Sequence, residues 1–243
     1  IEVLVSKGIK EVVLTGIHIS SYGIDFSDKI SLVDLIECIS SIEQLKRIRI
    51  GSLEPRIVTE EFVKIISGNP KVCPHFHLSL QSGCNETLLR MNRKYTIEEY
   101  KNSCDILRRF YHKPAITTDI IVGFPGETQE EFATTLKWLQ VLNLYEMHVF
   151  KYSVRKGTKA ENMPNQVSEM IKNERSSVLL ELAENNKRAY ESEFVGQKIE
   201  ILIEEKTMVD GEEVYTGYSD RYIKGWIKGS DELLNEIVTI IFS

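Results

Sequence analysis

The chain has 243 residues, a formal net charge of −6, 42% hydrophobic residues and 27% charged residues. That length can bury a sizeable core, as one large domain or as a large and a small one, and the balance is that of a soluble globular protein. The acidic total excludes a general case for a nucleic-acid or membrane surface, no apolar run approaches the roughly 18 residues of a membrane span, and no secretory leader pattern opens the chain.

In chain order, the opening "IEVLVSKGIKEVVLTG" reads as a helix that gives way at Gly8 to a strand. With no initiator Met, it predicts that the natural N-terminus lies upstream. Strands are predicted at 11–16, 47–52, 75–82, 115–124 and 146–154, and helices at 31–44, 59–67, 96–111, 128–142 and 168–193. Thr59, Thr96 and Thr128 stand where hydroxyl caps belong, ahead of acidic first turns. Strands alternating with helices imply parallel strands joined by crossovers, an α/β fold. The lack of G-x-G-x-x-G after the first strand favours a barrel-like sheet over a dinucleotide-binding one. The helix at 168–193 shows an apolar stripe of Ile171, Val178, Leu182 and Ala189. From Phe194 the texture becomes short strands separated by Asp210-Gly211, Gly217 and Gly229, an all-β module resembling a small barrel. Domains are thus expected at 1–193 and 194–243.

The cysteines (Cys38, Cys73, Cys84, Cys104) are widely spaced with no C-x-x-C, which reads as free thiols in a reducing cytoplasm. Cys38 and Cys104 sit at helical spacing among apolar neighbours and are expected in the core. Neither a metal ligand nor a catalytic side chain is assigned to this chain.

Strand parity separates interior from exterior. In "HFHLSLQS", Phe76, Leu78 and Leu80 should pack on helices, leaving His75, His77, Ser79 and Gln81 inward. In "TTDIIVGF", Ile120, Val122 and Phe124 face helices, while Thr117, Asp119, Ile121 and Gly123 face inward. His148, Phe150 and Tyr152 continue the pattern on the next strand. A purely structural barrel fills its interior with Val, Ile and Leu. Hydrogen-bonding groups on several strands instead predict a polar ligand at the mouth. Gly123 is expected to let that ligand approach the backbone, and the Gly-x-Pro-Gly turn after it fits no phosphate-loop pattern. Cations follow two strands: Arg90, Arg93 and Lys94, then Lys151, Arg155, Lys156 and Lys159. On one rim they suit a polyanionic substrate.

The segments "VVLTGIHISSYGID", "RIRIGSLEP", "HFHLSLQSGCNETLLRMNRKYTIEEY", "TTDIIVGFPGETQEEF" and "VFKYSVRKGTKA" occur in that order. Together they resemble the radical-SAM tRNA methylthiotransferases. "LSLQSGC" and "MNRKYT" look most like the branch that methylthiolates threonylcarbamoyl-adenosine beside the anticodon (the MtaB type), and "GYSDRYIK" looks like its TRAM domain. The resemblance implies a partial (β/α)6 radical-SAM barrel showing its last five strands, followed by an RNA-binding TRAM-like module. It further implies a cytoplasmic enzyme that uses S-adenosylmethionine and two four-iron clusters to insert sulfur at adenine C2 and then methylate it. Carried over by position, Thr15, Gly16, Ser79, Gln81, Asp119, Ile121, Gly123, Phe150 and Tyr152 would bind cofactor. Arg90, Arg93, Lys94, Arg155, Lys156, Arg221 and Lys224 would meet the tRNA anticodon stem-loop.

The chain departs from the family in lacking the C-x3-C-x2-C that holds the radical-generating cluster, which the resemblance places upstream of Ile1. It also lacks the cysteines of the second cluster. Such clusters require thiolates, so the chain alone is not expected to perform the reaction. The C-terminal module carries Lys198, Lys206, Arg221, Lys224 and Lys228 against ten acids. RNA contact there would need one face of Arg221, Tyr222, Lys224, Trp226 and Lys228; otherwise the module packs on the barrel. Within the family, the alternatives are isopentenyl-adenosine tRNA or a ribosomal-protein aspartate as substrate. Beyond it stand a metal-dependent hydrolase using His18, His75, His77, Asp119 and His148, and a non-catalytic RNA-binding protein.

Overall fold

The computed structural model describes residues 1–16, 19–28, 30–209 and 211–243. In chain order the elements are α1 (Glu2–Val5), β1 (Glu11–Leu14), α2 (Leu32–Ser40), β2 (Arg47–Leu53), α3 (Glu60–Ser67), β3 (Val72–Leu78), α4 (Asn85–Arg90) and α5 (Ile97–Phe110). They continue with β4 (Ala115–Val122), α6 (Gln129–Leu142), β5 (Glu146–Lys151), α7 (Glu169–Ser192), β6 (Lys198–Val209), β7 (Glu212–Ser219), β8 (Lys224–Ile227) and β9 (Ile237–Ile241). Five strands form one parallel sheet in the order β1-β2-β3-β4-β5, and four form an antiparallel sheet in the order β8-β7-β6-β9. No described helix is long and apolar enough to cross a membrane.

Local chemistry sets the helix starts. Ser31, Thr96 and Thr128 each accept from the backbone three residues on, while Asp34, Glu99 and Glu131 reach back to close the capping box. Thr59 accepts from the Phe62 amide in the same way. On the helix side of the sheet, Phe76, Leu78, Leu80, Ile116, Ile120 and Val122 join residues of α2, α3, α5 and α6 in one buried core. The short helix α4, which the sequence did not signal, follows β3 directly. Cys104 is buried as expected, but Cys38 is exposed, since α2 turns Leu32, Ile36 and Ile39 inward instead.

The stripe expected on α7 is also displaced. Val178 and Ala189 are exposed, while Lys172, Arg175, Ser176 and Leu179 are buried. The helix rotates because its cations find partners on the sheet side: Arg175 meets the Glu127 carboxylate at 2.6 Å, and its guanidinium lies 5.3 Å from the Phe132 ring centre.

The second sheet packs against the N-terminal half of the first. Arg47 donates to the carbonyls of Tyr218 and Glu200, and Arg49 to those of Asp220 and Ser219. Tyr222, held at φ 63°, stacks between His75 and Tyr218, at 5.0 and 4.4 Å between ring centres. Ala115, Tyr145, Phe194 and Ile223 form a small shared core. His75 is therefore a docking residue and lies outside any mouth. Burial, reinforced by the charges of Arg49, His77 and His148, pushes its imidazole from 6.5 down to about 3. Between those values the unfolded chain carries a proton that the folded chain refuses, so stability is lost as pH falls through that window, by about 1.4 kcal/mol per pH unit. Urea unfolding at about pH 7 and about pH 5 should show His75→Gln losing roughly 2 kcal/mol less than the wild type over that interval. Equal losses would mean that His75 does not set the acid limb.

Candidate functional site: a cavity at the C-terminal ends of β3, β4 and β5

In parallel α/β sheets, sites form beyond the carboxyl ends of the strands. Here Gln81, Asp119, Ile121, Phe150, Tyr152 and Arg155 line a cavity of about 540 Å³ at that end, with Phe124 and Thr158. A larger cleft of about 750 Å³ runs between the two sheets. Several of its cations are already engaged: Lys10 with Glu236, Lys113 with Glu193, and Lys71 with the carbonyls of Ser40 and Ile42.

The cavity's geometry follows from breaks in strand regularity. β3 ends at Leu78, and Gln81 adopts φ 70° yet still pairs with β4, donating to the Asp119 carbonyl and accepting from the Ile121 amide. β4 and β5 are in register, with Asp119 opposite His148 and Ile121 opposite Phe150. At Gly123 the backbone reaches φ 72° and the alternation stops. Phe124, expected against helices, therefore turns to the cavity and meets Tyr152 edge-on at 5.2 Å. Gly123 does not face the cavity. A Cβ there would stand 2.4 Å from Lys172 Cγ, so its missing side chain makes room for α7. Its amide donates to Glu127 Oε2 at 2.6 Å.

Asp119 is half-buried, and burial alone would raise its carboxyl. The hydrogen bond to His77 and the positive field of His77, His148 and Arg93 outweigh burial and hold the group below the usual aspartate value. The Tyr152 hydroxyl is buried with no protein partner. A buried phenol left unpaired beside a cavity has a donor and an acceptor available to a bound molecule or water.

Of the remaining expected cofactor residues, Ser79 lies outside the cavity lining, and its carbonyl accepts from Tyr95. Thr15 and Gly16 are exposed at the end of β1, with β2 and β3 between them and β4. The cationic set divides. Arg155 lines the cavity, while Arg93, Lys94 and Lys156 are exposed. Arg90 instead grips Glu131 with two guanidinium nitrogens, which locks α4 to the start of α6. Arg221 and Lys224 sit on the second sheet, at the opposite end. Arg221 donates to the carbonyls of His112 and Lys113 beside Asp220, and Lys224 pairs with Glu205. Tyr222 stacks on His75 and Tyr218 at the edge of the junction while remaining part-exposed, and Lys224, Trp226 and Lys228 of the expected RNA face lie on or beside edge strand β8. His77 and His148, which converge on Asp119, entered the sequence reading as inward polar residues and as hydrolase ligands, not as cofactor residues; His18 lies outside the described residues.

The family model described as the Radical SAM superfamily matches residues 1–139. The chain belongs to that superfamily. It is 40% identical over 238 residues to the threonylcarbamoyladenosine tRNA methylthiotransferase MtaB of Bacillus subtilis, covering 98% of this chain and 53% of that protein. It is 37% identical over 243 residues to the tRNA-2-methylthio-N(6)-dimethylallyladenosine synthase of Lachnoclostridium phytofermentans, covering 100% and 53%. The chain thus spans about half the length of these curated relatives. In fold it is similar to the radical SAM enzyme coproporphyrinogen III oxidase (HemN) of Escherichia coli, with a TM-score of 0.55 and 15% identity over 79% of this chain and 52% of that one.

Membership implies S-adenosylmethionine and a four-iron cluster. The cavity suits the first, with a volume in the small-molecule range, polar groups that include Gln81 and Asp119, an apolar wall and the orphaned Tyr152 hydroxyl. The cysteines do not suit the second. Cys38 is exposed on α2, Cys73, Cys84 and Cys104 are buried at separate places, and no cysteine joins a ligand cluster among the described residues.

Proposed function

We propose that the protein carrying this chain methylthiolates N6-threonylcarbamoyl-adenosine beside the anticodon of tRNA, by radical chemistry that draws on S-adenosylmethionine. The observation that carries the reading is the 40% identity to a threonylcarbamoyladenosine tRNA methylthiotransferase along nearly the whole chain. In this proposal residues 1–193 form the body that binds cofactor and substrate, and residues 194–243 a module docked beneath it. Ile121, Phe150 and Tyr152 supply the apolar wall against an adenine, while Asp119 and Gln81 supply the polar groups for ribose and amine. Arg155 at the opening, with the exposed Arg93, Lys94 and Lys156 that follow β3 and β5, would meet backbone phosphates of an anticodon stem-loop and add salt-dependent affinity. The two four-iron clusters that such a reaction requires need ligands other than this chain's cysteines.

A second reading, action on isopentenyl-adenosine, draws on the 37% identity to a dimethylallyladenosine-tRNA synthase. Nucleoside analysis of tRNA from cells with and without the gene separates the two. Loss of the 2-methylthio group from threonylcarbamoyl-adenosine alone is expected. Loss from the isopentenyl nucleoside alone would move the protein to the second reading, and no loss would refute both.

Asp119→Ala should weaken S-adenosylmethionine binding about tenfold or more in calorimetry of the cluster-loaded protein, with cluster content unchanged, because the substitution removes an ionised hydrogen-bond acceptor from the cavity wall. Unchanged affinity would make Asp119 a structural residue only.

A further inference from the structure

Three side chains on adjacent strands turn toward one point below the cavity. His77 on β3, Asp119 on β4 and His148 on β5 place one ligand atom each within 4.8 Å of one another. His77 Nε2 lies 3.3 Å from Asp119 Oδ2, and the rings of His77 and His148 are 6.0 Å apart. His77 Nδ1 sits 3.0 Å from the hydroxyl of Thr117, itself buried. That contact holds the ring and turns Nε2 toward the point shared with Asp119. A histidine steadied at one nitrogen and presented at the other is the arrangement of a metal ligand with its supporting shell. His148 is exposed and makes no side-chain hydrogen bond among the described residues, so its ring is free to complete a third corner.

We propose that His77, Asp119 and His148 bind one divalent first-row transition ion, such as Zn²⁺ or Fe²⁺, at the floor of the cavity. Two imidazoles and one carboxylate suit these ions better than Mg²⁺ or Ca²⁺, which favour all-oxygen shells. A tetrahedral ion with ligands about 2.1 Å away spaces them about 3.4 Å apart. The His77–Asp119 separation already matches, and a rotation of the exposed His148 ring closes the remainder. Three protein ligands leave at least one position open, as catalytic rather than structural ions have. Asp119 is shared with the cavity wall, so that position is open to water or to an oxygen of the cavity's occupant. The ion is additional to radical SAM chemistry and uses no cysteine. Membership of the superfamily removes the hydrolase reading of these residues but not the geometry they form.

The test is equilibrium dialysis of the chelator-stripped chain against Zn²⁺, followed by elemental analysis, with Co²⁺ spectra as a second reading. One equivalent is expected, with Co²⁺ bands of nitrogen and oxygen ligation. His148→Ala, at an exposed position that leaves the fold intact, should lower affinity more than about 100-fold; Thr117→Val, which removes only the supporting hydroxyl, about 10- to 100-fold. Less than one equivalent in the wild type, equal binding in all three proteins, or cobalt–thiolate charge-transfer bands would each overturn the proposal. The assay reads no tRNA chemistry, so its outcome is separate from that of the nucleoside analysis.

Discussion

Arg49→Ala should cost about 3–5 kcal/mol of stability and loosen the second sheet before the first, the usual penalty for removing one partner of a buried charge network. Arg49 is nearly fully buried. Its Nε meets Glu11 at 2.8 Å, its two terminal nitrogens reach the carbonyls of Ser219 and Asp220 at 3.0 Å, and its guanidinium lies over Tyr222. Alanine would strand the Glu11 carboxylate, which keeps only a longer 3.7 Å contact with Arg47, would take the guanidinium donor from the Asp220 carbonyl, and would leave the Ser219 carbonyl with the Tyr222 amide alone. Arg49→Lys should recover little, because one ammonium cannot serve three acceptors held in a fork. Hydrogen exchange is the decisive readout: amides of β6–β9 should lose protection while those of β2–β4 keep theirs. Simultaneous loss in both sheets, or an unchanged midpoint, would show that docking does not depend on Arg49.

A loss of similar size, about 3–5 kcal/mol, should follow Arg175→Ala, beneath the turn that closes the cavity. Glu127 is the acid at the end of "TTDIIVGFPGE", and its side chain is 1% exposed. It accepts from the Gly123 amide and from Arg175, so one carboxylate fastens the turn to α7. Burial raises its carboxyl above the usual glutamate value even against those two partners. Without Arg175 the opposition weakens and the shift grows. An acid whose folded value is raised contributes stability that is present at low pH and lost as pH rises through that value. The variant should therefore be less impaired near pH 5 than near pH 8, and Arg175→Ala with Glu127→Gln should recover part of the loss. Because Ile121 and Phe124 hang on this turn, affinity for S-adenosylmethionine should fall as well. A pH-independent loss would mean that Arg175 acts by packing on Phe132 alone.

The elements were legible because their signals are local. Hydroxyl caps at Thr59, Thr96 and Thr128 and β-branched runs between them need only a few neighbouring residues to act. Parity also placed Phe76, Leu78, Ile120 and Val122 in the core, since a regular strand alternates whatever surrounds it. Parity failed at Gly123, where a positive φ ends the alternation and turns Phe124 to the cavity, and at Ser79, which the end of β3 leaves outside the lining. Lone cations were the other failure. Arg90, Arg221 and Arg175 look alike in a sequence, and whether a guanidinium meets solvent, a carbonyl or a buried carboxylate depends on segments far along the chain.

The sequence by itself determined the alternation of strands and helices, the family resemblance and the absence of a cluster-binding cysteine set, because these rest on residue order and local propensity. Only the tertiary structure decided what the polar interior is for. It divides that interior between Arg47, Arg49 and His75, which dock the second sheet, and His77, Asp119 and His148, which converge beneath the cavity. The reason is register: side chains on separate strands share a site only when the sheet sets them at the same height, and pairing partners 29 to 40 residues apart set that height.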